Sequence, residues 1–213
     1  HLSIGAGRIV YQVLVKINYK RPTEVVEVKE VVPYNKILYN TVFKERWNPY
    51  EEKPIENVTQ LCYLLRRVVN SDSRRLDVVK NLIMRNDKVI IFYNYDYELE
   101  TLELMCQELG VPYAQWNGHK HENIPESEVW VYLVNYMAGS EGWNCTETNC
   151  MIFFSDSYSY KTMLQAAGRI DRVNTPFDVL YYYHIRSMAP IDIGIAAALK
   201  KKQNFNEAAF IGK

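Results

Sequence analysis

Two arginines stand three positions apart, behind a glutamine and a glycine, in the segment Gln165-Ala166-Ala167-Gly168-Arg169-Ile170-Asp171-Arg172. On a helix, residues at this spacing lie on one face, so Arg169 and Arg172 can reach the same target. Each guanidinium offers a planar fork of donors to anionic oxygens, and two converging guanidiniums suit a polyphosphate. The alternative interpretation is a solvated basic helix end with Asp171 as a local ion partner. The elements that position the segment decide between the two.

Length and composition indicate a globular protein with one large domain, or a domain with an appendage. Hydrophobic residues make up 48% and charged residues 23% of the 213 residues, which is ordinary for a chain with a sizeable core. Lys+Arg and Asp+Glu are equal at 25 each, so binding of nucleic acid has to come from a local patch.

Cysteine and histidine spacings predict neither a disulfide framework nor a metal site. The four cysteines form no CxxC pair, which favours a reducing, cytosolic compartment. His119 and His121 are close in sequence, but no cysteine stands at zinc-finger spacing from them. No apolar run approaches the roughly 20 residues that span a bilayer, so no membrane partner is predicted.

The first third of the sequence predicts two strands followed by three helices. Residues 8–19 and 24–32 are rich in β-branched residues and are separated by a turn at Arg21-Pro22-Thr23. Helices are expected from Pro33 to about Trp47, over 56–69, and from a cap at Ser73. We identify no chemistry in this region.

From Lys88 onward, strands alternate with helices. Strands are expected at 89–93, 111–116, 129–134, 151–154 and 179–185, with helices from Asp96 to Gly110, from Tyr160 to Arg172, and from near Pro190. This alternation predicts βαβ units, a parallel sheet and helices on both of its faces.

The residues that follow the strands are the candidates for a site, because open α/β sheets bind ligands beyond the carboxyl ends of their strands. The polar stretches at these positions are Asn94-Tyr95, Asn117-Gly118, residues 138–144, and Ser155-Asp156-Ser157, which leads into the helix with the arginines. Gly139, Ser140 and Gly142 allow close backbone approach, and free N–H groups in such a loop can hold a phosphate. Each loop alone is an ordinary connection, but together with the paired arginines they favour a ligand-binding edge.

The sequence has no G-x-x-x-x-G-K-[ST] phosphate loop, and no strand ends in the paired acidic residues that hold magnesium. The chain therefore has arginines suited to a γ-phosphate but not the parts that cradle one. Because an arginine supplied from a second unit can stabilise the charge of phosphoryl transfer, we expect half of a split site.

The chain resembles the C-terminal RecA-like lobe of a superfamily 2 helicase or translocase, in the remodeller-like (Swi/Snf-type) branch also found in bacteria and phages. Four stretches carry the resemblance in the family's order: 89–95 to motif IV, 116–118 to the short glycine motif, 138–145 to motif V and 165–172 to motif VI. The resemblance implies an α/β, RecA-like parallel sheet with helices on both faces over 73–213. It also implies a β/α inter-lobe linker region with two N-terminal strands over 1–72.

The resemblance also implies roles for individual residues. Arg169 and Arg172 would be arginine fingers that act on ATP and Mg²⁺ held mainly by a separate N-terminal RecA-like lobe. Gln165 would orient groups at the γ-phosphate. The nucleotide cleft would be lined by Gly142, Asn144 and Gly168. The sugar-phosphate backbone of a nucleic acid, DNA rather than RNA, would be contacted by Asn94, Tyr95, Gly118, Gly139 and Ser140.

Some positions depart from the family's pattern. Trp143 and Cys145 stand where smaller or aliphatic residues are expected, and Val173-Asn174-Thr175-Pro176 replaces a further glutamine-type motif. These departures favour a bacterial or phage relative. Its expected location is the cytoplasm of the bacterium or of the phage-infected host.

The sequence thus predicts the C-terminal motor lobe of an ATP-dependent nucleic-acid helicase or translocase, inactive as a fragment. One alternative is a module that binds nucleic acid or protein without a motor. A second is a stand-alone nucleotide-binding enzyme such as a phosphatase or glycosyltransferase, although the sequence shows neither a nucleophile nor a metal-binding carboxylate cluster.

Overall fold

The strands and helices are taken from a computed structural model that describes residues 22–138 and 142–212. The predicted strand over 8–19 and the candidate residues Gly139 and Ser140 lie outside these ranges. The strands are β1 (Glu24–Val32), β2 (Trp47–Asn48), β3 (Lys53–Pro54), β4 (Lys88–Tyr93), β5 (Tyr113–Trp116), β6 (Trp130–Asn135), β7 (Cys150–Phe153) and β8 (Val179–Ser187). The helices are α1 (Lys36–Glu45), α2 (Val58–Asn70), α3 (Ser73–Arg85), α4 (Asp96–Leu109), α5 (Tyr160–Ala167), α6 (Pro190–Lys200) and α7 (Glu207–Ile211).

A six-stranded sheet organises the chain, in the order β1-β8-β7-β4-β6-β5. All of its neighbouring strands pair in parallel. The inner strand β4 is a continuous apolar run because it is buried on both faces. Helices α1, α2, α5 and α6 contribute to the hydrophobic core on one face, and α3 and α4 to the core on the other. This arrangement confirms the predicted parallel α/β sheet with helices on both faces.

Strand β1 extends this sheet at its edge. It pairs with β8 along its full length, from Glu24 opposite Val179 to Val32 opposite Ser187. Its side chains alternate between exposed and partly buried, as an edge strand with one open face requires. The segment predicted to belong to the linker region therefore contributes a strand to the main sheet, and the domain boundary at residue 72 stays a prediction.

Helix starts differ from the predictions by one or a few residues. The first helix begins at Lys36 rather than Pro33, because the Asn35 side chain accepts a hydrogen bond from the Leu38 N–H at 3.0 Å. The cap of α3 is Asp72, which accepts from the Arg74 N–H at 3.0 Å, and not Ser73. Asp96 is the first residue of α4 and not its cap, and its charge lies in the first turn, where it complements the helix dipole.

The predicted helix from Tyr160 to Arg172 is wrong in its last part, because α5 ends at Ala167. Beyond it the chain turns, with the Arg172 N–H donating to the Ile170 carbonyl at 3.0 Å. Ile170 is fully buried in the core, so the turn directs the side chain between the two arginines inward. Arg169 and Arg172 therefore do not share a helix face.

In the described part of the chain, no helix combines the length and apolar character that a membrane crossing requires.

Arg75 joins α3 to the carboxyl ends of two strands. Its side chain is fully buried, and its guanidinium donates to the carbonyls of Phe154 and Ile185. It also pairs with the carboxylate of Asp192 on α6 at 3.0 Å. One cation thus holds α3, the end of β7, β8 and α6 together.

We expect Arg75→Met to lower the free energy of unfolding by about 3–5 kcal/mol, because it leaves the buried carboxylate of Asp192 without its partner. Urea unfolding followed by circular dichroism measures the change. Arg85→Met is the matched control, since this exposed arginine of the same helix should change stability by less than about 0.5 kcal/mol. Equal stability of the two variants would contradict a structural role for Arg75.

Candidate functional site

The two arginines lie toward the amino ends of the strands. Because β7 and β8 are parallel, α5 must run back along the sheet after the carboxyl end of β7. The Tyr182 hydroxyl, in the amino half of β8, donates to the Ala167 carbonyl at 2.7 Å. The Cys145 N–H, on the segment returning toward the start of β7, donates to the Arg169 carbonyl at 2.9 Å. The arginines are therefore separated from the loops at the carboxyl edge, which differs from the single ligand-binding edge that the sequence predicted.

Five residues converge on a shallow cleft of about 310 Å³ at this position: Asn144, Gln165, Gly168, Arg169 and Arg172. All of them were predicted as catalytic or cleft-lining residues. Gly142, predicted to line the same cleft, is exposed but is not among the lining residues. The structure therefore brings these predicted residues together, although the two arginines are not on a helix.

Arg169 is half-buried and held by Trp143. Its Nη1 donates to the Trp143 carbonyl at 2.9 Å, and its guanidinium carbon lies 5.4 Å from the centroid of the Trp143 ring. Its Nε is buried and has no hydrogen-bond partner among the described residues. Burial lowers the pKa of Arg169, and the charge of Arg172 lowers it further. An arginine nevertheless stays protonated in proteins, so Arg169 is a fixed positive charge.

Arg172 is exposed and contacts the cleft through Asn144. With the Asn144 amide oxygen facing it, Arg172 Nη2 donates to that oxygen at 3.1 Å. The Asn144 amide nitrogen then donates to the Trp143 carbonyl at 3.0 Å. The two arginines thus have different settings, since Arg169 is half-buried and bonded to a backbone carbonyl, whereas Arg172 is exposed and bonded to the Asn144 side chain.

The cleft fits an anion better than a metal ion. None of its five lining residues is acidic. The positive charge of Arg172 repels that of Arg169 and disfavours its charged form, and an anion between the two guanidiniums would offset that repulsion. The buried Arg169 Nε is a further donor that a phosphate oxygen would satisfy. Mg²⁺ prefers oxygen ligands such as carboxylates, which these residues do not supply.

At the carboxyl edge, the Asn94 side chain fastens one loop to the next. Its amide nitrogen donates to Ser155 Oγ at 2.8 Å and to the Asp156 carbonyl at 3.1 Å. Tyr95 is partly buried, and its ring packs edge-on against Tyr63 at 5.2 Å. Gly118 is exposed, with open space where a side chain would point. Of these predicted nucleic-acid contacts, only Gly118 is fully at the surface.

A buried polar network that the sequence did not predict lies behind these loops. Arg66 of α2 is 1% exposed and donates to the Asp156 carbonyl at 2.6 Å. Glu98 of α4 is equally buried and accepts from Asn70 at 2.9 Å and from Ser155 Oγ at 2.8 Å. Burial raises the pKa of Glu98, although the charge of Arg66 opposes the shift. One feature of the sequence could have indicated this network. Arg66 directly follows Leu65 on the apolar side of α2, where a buried charged residue needs a partner.

The Asp156 carboxylate contacts two side chains of β8. Its Oδ2 accepts from Arg186 Nε at 2.6 Å, and its Oδ1 lies 3.0 Å from His184 Nδ1. Burial alone would raise the pKa of Asp156, but the hydrogen bond from His184 and the charge of Arg186 outweigh it and lower the pKa below 3.8. The ionised carboxylate therefore stabilises the fold.

We expect Asp156→Asn to lower the free energy of unfolding by about 1.5–3 kcal/mol near neutral pH, the value of a hydrogen bond to a charged group. Because the folded pKa is lowered, this stabilisation is present above pH 3.8 and is lost as the pH falls through the folded pKa. Urea unfolding of both proteins from pH 7 to pH 3 should therefore show the difference shrinking at the acid end. A difference that persists unchanged would contradict the ionic role.

Comparisons with known proteins show similarity to helicases and chromatin remodellers. A family model described as the helicase conserved C-terminal domain matches residues 74–174, just under half of the chain. The lymphoid-specific helicase of Homo sapiens is 24% identical over 143 residues, covering 62% of this chain and 17% of that protein. The chromatin remodeling factor mit1 of Schizosaccharomyces pombe is 23% identical over 157 residues, covering 68% of this chain and 10% of that protein.

A solved structure, the C-terminal part of the Fun30 ATPase domain, has a TM-score of 0.70 to this chain at 14% identity. The alignment covers 89% of this chain and 94% of that structure, which confirms the RecA-like α/β fold. The chain spans only 10–17% of the length of the two curated relatives. These relatives are eukaryotic and do not support the predicted bacterial or phage origin, which stays a prediction. The family match and the remodeller relatives support a C-terminal lobe of a superfamily 2 helicase or ATPase.

Proposed function

We propose that this chain is the C-terminal motor lobe of an ATP-dependent nucleic-acid translocase, and that Arg169 and Arg172 act on ATP held by a separate N-terminal lobe. The observation that carries the proposal is the cleft in which both guanidiniums meet Asn144 and Gln165, with no acidic side chain among its described lining residues. The match of residues 74–174 to a helicase C-terminal domain supports it.

The unequal settings of the two arginines suggest different tasks. Arg169 is tethered by the Trp143 carbonyl and supplies a charge that is already oriented. Arg172 hydrogen-bonds to Asn144, and it can exchange this bond for one to a phosphate oxygen. When bound, ATP with Mg²⁺ supplies a phosphoryl group whose transfer spreads negative charge over its oxygens. Donors oriented beforehand toward that charge stabilise the transition state without reorganising.

Gln165 contributes an exposed amide to the same cleft from the last turns of α5. An amide can both donate and accept, so we propose that Gln165 orients groups at the γ-phosphate. The phosphate loop and the magnesium ligands are absent from this sequence and belong, in this proposal, to the other lobe. The chain alone is therefore proposed to be inactive.

The carboxyl edge is the proposed nucleic-acid interface. Gly118 is exposed there with room for a backbone to approach, and we extend the same role to Gly139 and Ser140. Asn94 is committed to Ser155 and Asp156, so we propose that Asn94 and Tyr95 chiefly shape the loops. The name of the relative mit1, a chromatin remodeling factor, supports DNA over RNA as the partner.

In the full-length protein, we expect Arg172→Ala to lower nucleic-acid-stimulated ATP hydrolysis by about 10³–10⁵-fold, the usual loss when an arginine finger is removed. A coupled assay at saturating DNA and ATP measures kcat. Arg85→Ala, which removes an exposed guanidinium outside the cleft, is the matched control and should retain wild-type turnover.

Two further measurements complete this experiment. The 213-residue chain alone should hydrolyse no ATP above background, because it lacks a phosphate loop. Binding of DNA by the full-length Arg172→Ala protein should be unchanged, so that the loss is assigned to hydrolysis. Near wild-type turnover of Arg172→Ala would refute the arginine-finger role and leave a binding module as the better interpretation.

We expect Gly118→Asp to weaken DNA binding by the full-length protein about five- to tenfold, because a carboxylate placed near a phosphate repels it by about 1 kcal/mol in water. Gly118→Asn adds a neutral side chain of the same shape into the same open space and is the control. Fluorescence anisotropy with duplex DNA, single-stranded DNA and RNA at two salt concentrations gives the affinities. Equal affinities of the two variants would place the nucleic acid elsewhere.

A further inference from the structure

Trp143 connects the central strands of the sheet to the cleft. Its ring stacks on Phe92 of β4, with centroids 6.3 Å apart and planes 15° apart. Tyr132 of β6 meets the same ring edge-on at 5.3 Å. Both neighbours are buried on inner strands, so they fix the position and orientation of the indole.

The same residue makes two different contacts with Arg169. The face of its indole lies 5.4 Å from the guanidinium carbon, and its carbonyl accepts from Nη1 at 2.9 Å. The next residues reinforce this arrangement, since the Cys145 N–H donates to the Arg169 carbonyl at 2.9 Å. The backbone and the side chain of Arg169 are thus both held by the segment that begins at Trp143.

We propose that Trp143 is a positioning residue that orients the Arg169 guanidinium in the cleft before the nucleotide is bound. An arginine side chain free to rotate loses about 2 kcal/mol of entropy when it is ordered, and a fixed aromatic face makes that ordering unnecessary during the reaction. The proposal rests on the proposed action of Arg169 on a phosphate. It explains why a large aromatic residue occupies a position where the family resemblance leads us to expect a smaller one.

The test uses the full-length protein and compares substitutions that differ in their aromatic face. Trp143→Leu keeps an apolar side chain but removes the cation–π contact, and we expect it to lower kcat for DNA-stimulated ATP hydrolysis about 3- to 30-fold. The KM for ATP should change by less than about threefold, because the nucleotide is held mainly by the other lobe. Trp143→Phe keeps an aromatic face and should retain kcat within about threefold of wild type.

Two controls separate positioning from stability. Trp47→Leu alters a partly exposed tryptophan of β2 that does not line the cleft, and it should leave kcat unchanged. Melting temperatures are measured for every variant, and kcat is determined at a temperature at which all of them are folded. If the leucine variant does not fold, Trp143→Met replaces it, since methionine fills irregular apolar space without an aromatic face.

A double-mutant cycle identifies the route of the effect. If Trp143 acts through Arg169, Trp143→Leu should cause no further loss of kcat in an Arg169→Ala background. Wild-type turnover of Arg169→Ala alone would overturn the proposed function of the cleft. A loss in Arg169→Ala without any loss in Trp143→Leu would overturn the positioning role only. An equal loss from Trp143→Leu in both backgrounds would also overturn it and show a purely structural role.

Discussion

The hydrogen bond from the Cys145 N–H to the Arg169 carbonyl joins the two segments that form the cleft. The parallel sheet makes this bond possible, because every connection must cross from the carboxyl edge to the amino edge before the next strand can start. Between β6 and β7, the described parts of this crossing, residues 136–138 and 142–149, contain no helix. Backbone groups of the crossing are therefore free to bond to the turn that carries the arginines.

At the carboxyl edge of the sheet, buried arginines hold the backbone in place. The carbonyl of Phe154 accepts from Arg75, and that of Asp156 accepts from both Arg66 and Asn94. A charge buried without partners would cost several kcal/mol, so these arginines fix the backbone that satisfies them. Arg66 belongs to α2, a helix that precedes residue 73. The helices of the first third are thus part of what shapes the edge of the sheet, whatever role they have in joining lobes.

The sequence predicted the elements whose stabilising interactions are local or periodic. The buried run of β4 and the glycine that ends α4 are of this kind, and Gly110 adopts the left-handed conformation (φ 64°) typical of a helix end. The end of α5 was missed because a glycine costs a helix only about 1 kcal/mol, and helical periodicity continues past Gly168 in the sequence. What ends the helix is tertiary, namely the buried side chain of Ile170 and the bond from Cys145.

The candidate site was predictable in its residues but not in its geometry. A motif specifies Gln165, Arg169 and Arg172, and the structure brings all three to one cleft with Asn144. The buried partners of the edge were not predictable, because Arg66 and the carbonyl it binds are 90 residues apart in sequence. Nothing in local spacing identifies such a pair, since its contact exists only once the sheet has formed.

The different settings of the two arginines follow from where their partners lie. Trp143 is fixed by aromatic contacts to β4 and β6, so the position of the Arg169 charge that it holds depends on the central strands of the sheet. Among the described residues, the Arg172 guanidinium hydrogen-bonds to the exposed Asn144 amide, which itself hydrogen-bonds to the Trp143 carbonyl. Moving the Arg169 guanidinium together with the indole would therefore require Trp143 to leave its contacts with Phe92 and Tyr132, whereas moving Arg172 would break its hydrogen bond to Asn144.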